Sequence, residues 1–143
     1  MRPCPLLAFL LLAGCSAHRR EARQVRKEEV RLVETAQTWW DDMRWDRVDT
    51  AALAIEDLTA RGEFINSRMS GAGFRIVDVT LLGFEVTDPK LASETDAHLR
   101  DGRVLVRVEG YDSATQVVQS HTVTQTWYRT REGWYLAPGS ELP

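Results

Sequence analysis

The chain has 143 residues, a length that suits one domain able to bury roughly two-thirds of its unfolded surface. Charge is divided unevenly: residues 15–31 carry six basic and three acidic side chains, whereas residues 32–143 carry 11 basic and 18 acidic ones. The resulting net charge of −7 over residues 32–143 argues against nucleic acid as a partner.

The first 15 residues have the layout of a secretion signal. Arg2 gives a short basic start, residues 6–12 are an apolar run, and Leu12-Ala13-Gly14-Cys15 closes the run. This run is too short to cross the ~30 Å of hydrocarbon in a bilayer, which takes about 20 residues. The closing residues resemble the bacterial lipobox, in which an aliphatic residue and two small residues precede an obligatory cysteine.

The lipobox resemblance implies where the protein resides. It implies that residues 1–14 are a signal peptide that is removed, that the thiol of Cys15 carries palmitate-type lipid, and that residues 15–19 form the anchor and a short tether. Ser16 after the cysteine implies, by resemblance to a known sorting rule, an outer-membrane lipoprotein of the cell envelope that faces the periplasm. The alternative is an ordinary signal peptide in which Cys15 is incidental.

Two further expectations depend on this signal. Cys4 is removed with it, so Cys15 is the one cysteine of the mature chain, and neither a disulfide nor a thiolate metal cluster is expected. The basic residues 15–31 follow the anchor directly, where cationic side chains attract anionic headgroups. The alternative for this segment is a solvated helix face that carries both signs of charge.

Helices are predicted in the first half of the remaining chain. Apolar residues recur at spacings near 3.6 from about Arg20 to Arg44, which predicts the first helix. Asp46 or Asp49 offers a cap for a second helix, which stops near Gly62. Residues 63–69 predict a short third helical turn.

Strands are predicted in the second half from β-branched residues and alternating polarity. The predicted strands cover residues 74–86, 103–109, 116–130 and 134–136, with turns at 112–115 and 131–133 and a polar loop at 88–101. The long third strand places its larger apolar groups on one face, which we expect to point inward. This face carries Val117, Gln119, His121, Val123, Gln125 and Trp127.

Helices followed by a meandering antiparallel sheet predict a single α+β domain over residues 20–143. The pattern resembles the cone-like fold of the nuclear-transport-factor-two-like and ketosteroid-isomerase-like (cystatin-like) superfamily. The resemblance rests on Trp39-Trp40-Asp41, on Val104 to Glu109, and on Thr124 to Tyr128 leading to Gly133-Trp134-Tyr135-Leu136. It implies helices packed on a curved antiparallel sheet with a pocket at its open end. The superfamily contains isomerases, dehydratases and non-catalytic binding modules, so the fold does not decide the function.

Four residues are candidates for lining such a pocket: Trp40, His121, Gln125 and Trp127. His121 could act as a base there, because histidine titrates near neutral pH, and Asp78 could be its carboxylate partner. The alternative is a surface histidine on a strand. The tryptophans either line a cavity or seal the helices against the sheet, and we favour the packed core.

Metal and cofactor sites are not predicted. Asp42, Asp46 and Asp49 would share a face on one continuous helix and could bind a hard cation. Acidic residues at a helix C-terminus oppose its dipole, however, so we expect the helix to break here. His18 and His98 lack a second ligand at a diagnostic spacing.

The sequence therefore predicts a lipid-anchored envelope protein with a non-enzymatic domain, which binds either an envelope protein partner or a small apolar ligand. No residue is assigned a catalytic role. The alternative is a membrane-anchored enzyme of the isomerase or dehydratase type that uses His121. The binding module predicts aromatic residues packed in a closed interior, whereas the enzyme predicts an open cavity where His121 meets a carboxylate.

Overall fold

A computed structural model of the chain describes residues 6–70, 73–87 and 98–140, and for residues 6–16 it describes the backbone alone. The predicted α+β class is confirmed. The elements in chain order are α1 (Leu6–Arg44), α2 (Val48–Ala52), α3 (Leu58–Met69), β1 (Phe74–Val86), β2 (Arg100–Asp112), β3 (Val118–Arg129) and β4 (Trp134–Leu136).

The four strands form one antiparallel meander in the order β1-β2-β3-β4. The turns between β2 and β3 and between β3 and β4 lie where the sequence predicts them. The predicted loop at 88–101 lies mostly outside the described residues, and its last two residues belong to β2. Asp112 closes the turn between β2 and β3, since its Oδ1 accepts from the backbone N–H groups of Ala114 and Thr115 at 2.8 and 3.0 Å. Thr130 does the same between β3 and β4, where its Oγ1 accepts from the N–H of Glu132 at 3.2 Å.

Helix α1 ends at Arg44 as predicted but begins at Leu6, well before Arg20. The apolar residues of the signal are themselves good helix formers, so the two helical patterns join into one helix of 39 residues. The helix ends where Asp46 adopts a left-handed backbone conformation with φ of 60°. Within the described part of the chain, no helix combines the length and the apolarity that a membrane crossing requires.

The prediction of a second helix that stops near Gly62 is wrong. Helix α2 ends at Ala52, and Gly62 lies inside α3. The chain restarts at Asp57, whose side chain accepts from the N–H of Ala60 at 2.7 Å and caps α3. Neither Asp46 nor Asp49 caps α2, because its N-cap residue is Arg47, which makes no side-chain cap bond.

The core lies between α1 and one face of β2 and β3. Val104, Val106, Val108 and Trp127 are fully or almost fully buried on that face. Two glycines allow close packing: a Cβ on Gly110 would lie 2.2 Å from the carbonyl oxygen of Arg75, and one on Gly102 would lie 2.6 Å from Leu32. The other face is exposed and carries mostly polar side chains, with Leu105 of β2 among them.

The domain has two distinct ends along α1. We call the end where α1 approaches the sheet near Gln24 the proximal end, because it is nearer to Cys15. We call the end where α1 stops at Arg44 the distal end. From Cys15 to Arg44, α1 rises about 44 Å at ~1.5 Å per residue.

Candidate functional site

Three of the four predicted pocket residues lie together in the core. The indole Nε1 of Trp40 donates to Oε1 of Gln125 at 3.0 Å, and both residues are at most 1% exposed. Trp127, also fully buried, lies on the same face of β3 as Gln125. The predicted inner face of β3 is therefore confirmed where it meets α1. These residues fill space and join helix to sheet by a buried hydrogen bond.

Tryptophan rings occupy the interior around this bond. Trp39 and Trp40 pack edge to face with ring centroids 4.8 Å apart, and Phe64 of α3 lies 6.2 Å from Trp39. Trp134 of β4 is 5% exposed. The expectation that the tryptophans belong to the core is confirmed for these rings, whereas Trp45 is 66% exposed.

His121 lies apart from this cluster. It pairs with Val108 near the distal end of the sheet, where it is half-buried. Its Nε2 lies 3.1 Å from Oε1 of Gln119, and its ring packs edge to face on Phe74 at 5.3 Å between centroids. A histidine in this setting has an amide and an aromatic ring as its neighbours.

Asp78 does not meet His121. A bulge between Ile76 and Asp78 shifts the alternation of β1, so that Asp78 pairs with the exposed Glu109. Paired residues share a face, and Glu109 alternates with the buried Val108. Asp78 therefore lies on the outer face, opposite to the face that carries His121.

The three aspartates lie on different elements: Asp42 in α1, Asp46 in the turn after it, and Asp49 in α2. Asp42 is 6% exposed and accepts from Nε of Arg47 at 2.7 Å. Asp46 pairs with Arg75 of β1 at 3.1 Å. Because α1 breaks between them, as expected, these carboxylates fix the α1–α2 junction and the start of β1 rather than share one face.

A groove of about 600 Å³ opens at the distal end, which we call the distal groove. Its apolar residues come from α1, α2, α3 and β1, and they are Met43, Val48, Met69, Phe74 and Ile76. Its charged residues are Asp46, Arg47, Asp49, Arg68 and Arg75. Met69 is 74% exposed, so an apolar side chain stands open to solvent there. An apolar floor with a charged rim is the usual make-up of a protein-binding surface.

A second cavity, of about 310 Å³, lies at the proximal end, and we call it the proximal cleft. Helix α1 and the adjoining ends of β2 and β3 form it. Its lining residues are Gln24, Lys27, Glu28, Arg31, Leu99, Arg100 and Arg129. Four of these are cations and one is an anion.

Polar side chains also cluster around Tyr128 of β3 and Tyr135 of β4. The hydroxyl of Tyr128 donates to Glu56 at 2.9 Å, and its ring stacks on His98 with centroids 4.0 Å apart. Burial, followed by the hydrogen bond to Glu56 and its negative charge, raises the pKa of Tyr128 to about 12. Burial and Glu132 raise the pKa of Tyr135 from its ordinary value.

Sequence reasoning missed both surface sites. The proximal cleft joins residues of α1 to Arg100 and Arg129, which lie far apart in the chain and become neighbours through strand register. The local signals were the basic character of residues 15–31 and, within that segment, the i, i+4 spacing of Lys27 and Arg31 on one helix face.

Searches against protein families, curated proteins and solved structures find no match to this chain.

Proposed function

We propose that the protein is a lipid-anchored component of a bacterial envelope, and that its α+β domain binds a partner protein without catalysing a reaction. The observation that carries the proposal is the filled interior. Trp40, Gln125 and Trp127 occupy the space that a substrate would need, and they are at most 1% exposed. The anchor at Cys15 is proposed on the lipobox pattern in the sequence.

The distal groove is the surface that best fits the partner. It is larger than the proximal cleft and combines apolar side chains, of which Met69 is exposed, with charged ones. A segment of another envelope protein suits it, because such a segment offers apolar anchors for the floor and backbone and polar groups for the rim. The groove also lies about 44 Å along α1 from Cys15, which directs it away from a membrane that holds the anchor.

Site-specific photo-crosslinking in living cells tests this function. A photoreactive residue at Met69 should give one discrete adduct with an envelope protein, because its side chain stands open in the distal groove. The matched control is Thr124, an exposed position on the outer face of β3, which should give no such adduct.

A second variant checks that the adduct reports binding at the groove. Ile76→Glu places a charge on the apolar floor and should abolish the Met69 adduct while the protein remains folded by near-ultraviolet circular dichroism. Equal adducts from Met69 and Thr124, or an adduct that survives Ile76→Glu in the folded variant, would contradict the proposed function.

A further inference from the structure

The proximal cleft concentrates positive charge in an otherwise acidic domain. Among the described lining residues, Lys27, Arg31, Arg100 and Arg129 accompany one carboxylate, Glu28, so these residues carry a formal net charge of +3. Residues 32–143 as a whole carry −7. Diffuse attraction of anions by the domain is therefore weak, and attraction at this cleft is local.

Strand register makes Arg100 and Arg129 direct partners across β2 and β3. Both are largely withdrawn from water: Arg100 is 7% exposed, and the Arg129 side chain is 14% exposed. Their guanidinium groups have backbone partners, since Nη1 of Arg100 donates to the carbonyl oxygen of Thr87 at 3.2 Å and Arg129 donates to that of Thr130. These carbonyl oxygens carry no formal charge, so the bonds leave both positive charges in the cleft with little water to screen them.

Glu28 compensates only part of this charge. Its carboxylate accepts from Nε of Arg129 at 2.8 Å and lies 3.2 Å from Arg31. Among the described residues, the ammonium group of Lys27 has no hydrogen-bond or ion-pair partner. The cleft thus keeps a free ammonium donor beside guanidinium groups that one carboxylate cannot neutralise.

We propose that the proximal cleft binds a phosphate-bearing anion. Guanidinium groups match the oxygens of a phosphate with paired N–H donors, and an ammonium group adds a point charge. A volume of about 310 Å³ accommodates a group of that size. A bound phosphate adds the negative charge that Glu28 alone does not supply to these cations.

The phosphate group could come from two sources. The first is the headgroup of an anionic phospholipid, since Lys27 lies about 18 Å along α1 from Cys15 and a tilted helix brings it to the headgroup layer. The second is a soluble phosphate. The anion site itself stands whether or not Cys15 is lipidated.

Calorimetric titration of the full-length chain in a non-ionic detergent tests the site at constant ionic strength. The probes are inorganic phosphate, short-chain phosphatidylglycerol, and short-chain phosphatidylcholine, whose phosphate is neutralised by choline. The cleft variant combines Lys27→Gln with Arg31→Gln. Its matched control combines Arg23→Gln with Arg26→Gln, which removes the same charge from exposed positions of α1 outside the cleft.

We expect the cleft variant to bind at least about tenfold more weakly than the unchanged chain, because charge-assisted hydrogen bonds are lost. The control variant should bind as the unchanged chain does. Binding of inorganic phosphate identifies a soluble source, and binding of phosphatidylglycerol alone identifies a lipid headgroup. Equal losses in both variants, equal binding of phosphatidylcholine and phosphatidylglycerol without phosphate binding, or binding of neither inorganic phosphate nor phosphatidylglycerol would overturn the proposal.

Discussion

Gln125 is the most deeply buried polar side chain described in the domain, and its side-chain amide makes one hydrogen bond. Its Oε1 accepts from Trp40, whereas its Nε2 has no partner among the described residues. A neutral buried hydrogen bond contributes about 1 kcal/mol, and a buried donor left unpaired costs about 1–3 kcal/mol. Gln125 therefore ties α1 to β3 through its carbonyl oxygen alone.

Replacing Gln125 with leucine should destabilise the domain by about 1 kcal/mol. The indole N–H of Trp40 loses its acceptor, but removal of the unpaired Nε2 offsets part of that cost. Chemical denaturation followed by tryptophan fluorescence measures the change. Gln119→Leu on the same strand is the control, and it should stay within about 0.5 kcal/mol because Gln119 is exposed. If both variants lost the same free energy of unfolding, the buried hydrogen bond would contribute no more to stability than the exposed Gln119 does.

Tyr128 should make the domain less stable at high pH. Burial, followed by the bond to Glu56, holds its pKa at about 12, above the ordinary value of 10.0. The folded state therefore favours the neutral phenol. This contribution is complete below about pH 10, and it is lost as the pH rises from there through about 12.

Phenolate absorbance during an alkaline titration measures the pKa of Tyr128. With Tyr111→Phe and Tyr135→Phe in place, it reports Tyr128 alone. Glu56→Gln keeps an acceptor but removes the negative charge, so the pKa should fall toward its ordinary value. Glu132→Gln, whose carboxylate contacts Tyr135 instead, should leave it unchanged. A pKa of Tyr128 that stays in place after Glu56→Gln would assign the whole shift to burial.

At the scale of the elements, the packing of β1 on β2 depends on a position without a side chain. Gly110→Ala would bring a Cβ to 2.2 Å from the backbone oxygen of Arg75 and to 2.7 Å from the ring of Phe74. Because the nearest atom is backbone, the strands must move apart. We expect a loss of about 3 kcal/mol or more, the upper part of the range for overpacking.

Gly83→Ala is the matched control for this substitution. Gly83 lies in β1, the strand that pairs with β2 and Gly110, and a Cβ there would have no heavy atom within 4 Å. Alanine is less flexible than glycine in the unfolded chain, so this variant should be neutral or more stable by about 0.5 kcal/mol. Thermal unfolding measures both effects, and the melting temperature should fall for Gly110→Ala alone. Similar melting temperatures for the two variants would be inconsistent with the close approach at Gly110.

Elements defined by local signals were predictable from the sequence. The bounds of β1 and β4 are those predicted, because alternating or β-branched residues fill them and turn residues delimit them. The inner face of β3 was predictable for Val123, Gln125 and Trp127 from the size of its side chains.

The remainder depended on contacts distant in sequence. Gly62 predicts a helix end, yet α3 runs through it because the cap at Asp57 starts the helix late and Phe64 packs into the core. The proximal cleft depends on the register that pairs Arg100 with Arg129. The turn between β2 and β3 sets that register, but the approach of α1 to the two arginines follows only from how the hairpin packs on the helix.

At the scale of the whole molecule, the proximal and distal ends differ in chemistry. The proximal cleft is rich in unneutralised cations, whereas the distal groove has an apolar floor and paired charges. Helix α1 joins the two ends. This difference fits the proposal, in which the cationic proximal end lies near the membrane anchor and the distal end, with its apolar side chains, binds the partner.

Cys15→Ser should release the protein from membranes and prevent its labelling by a fatty-acid probe. Each buried methylene of an acyl chain contributes about 0.8 kcal/mol, so loss of several chains removes the anchor. Labelling and membrane fractionation in a bacterial host measure both effects. Cys4→Ser is the control, since Cys4 precedes the proposed cleavage site and should not matter. Continued labelling of Cys15→Ser would contradict lipidation at this cysteine.

Because α1 is one continuous helix, the number of residues between Cys15 and the domain sets how the domain is oriented relative to the proposed anchor. Each residue of a helix turns the chain by about 100° and advances it by ~1.5 Å. One residue inserted between Cys15 and Gln24 would therefore swing the proximal cleft by about 100° around the helix axis. Seven inserted residues would return it to within about 20° of its starting direction, roughly 10 Å farther from the anchor. In this chain the spacing of the helix, rather than the identity of its side chains, decides which way the cleft faces.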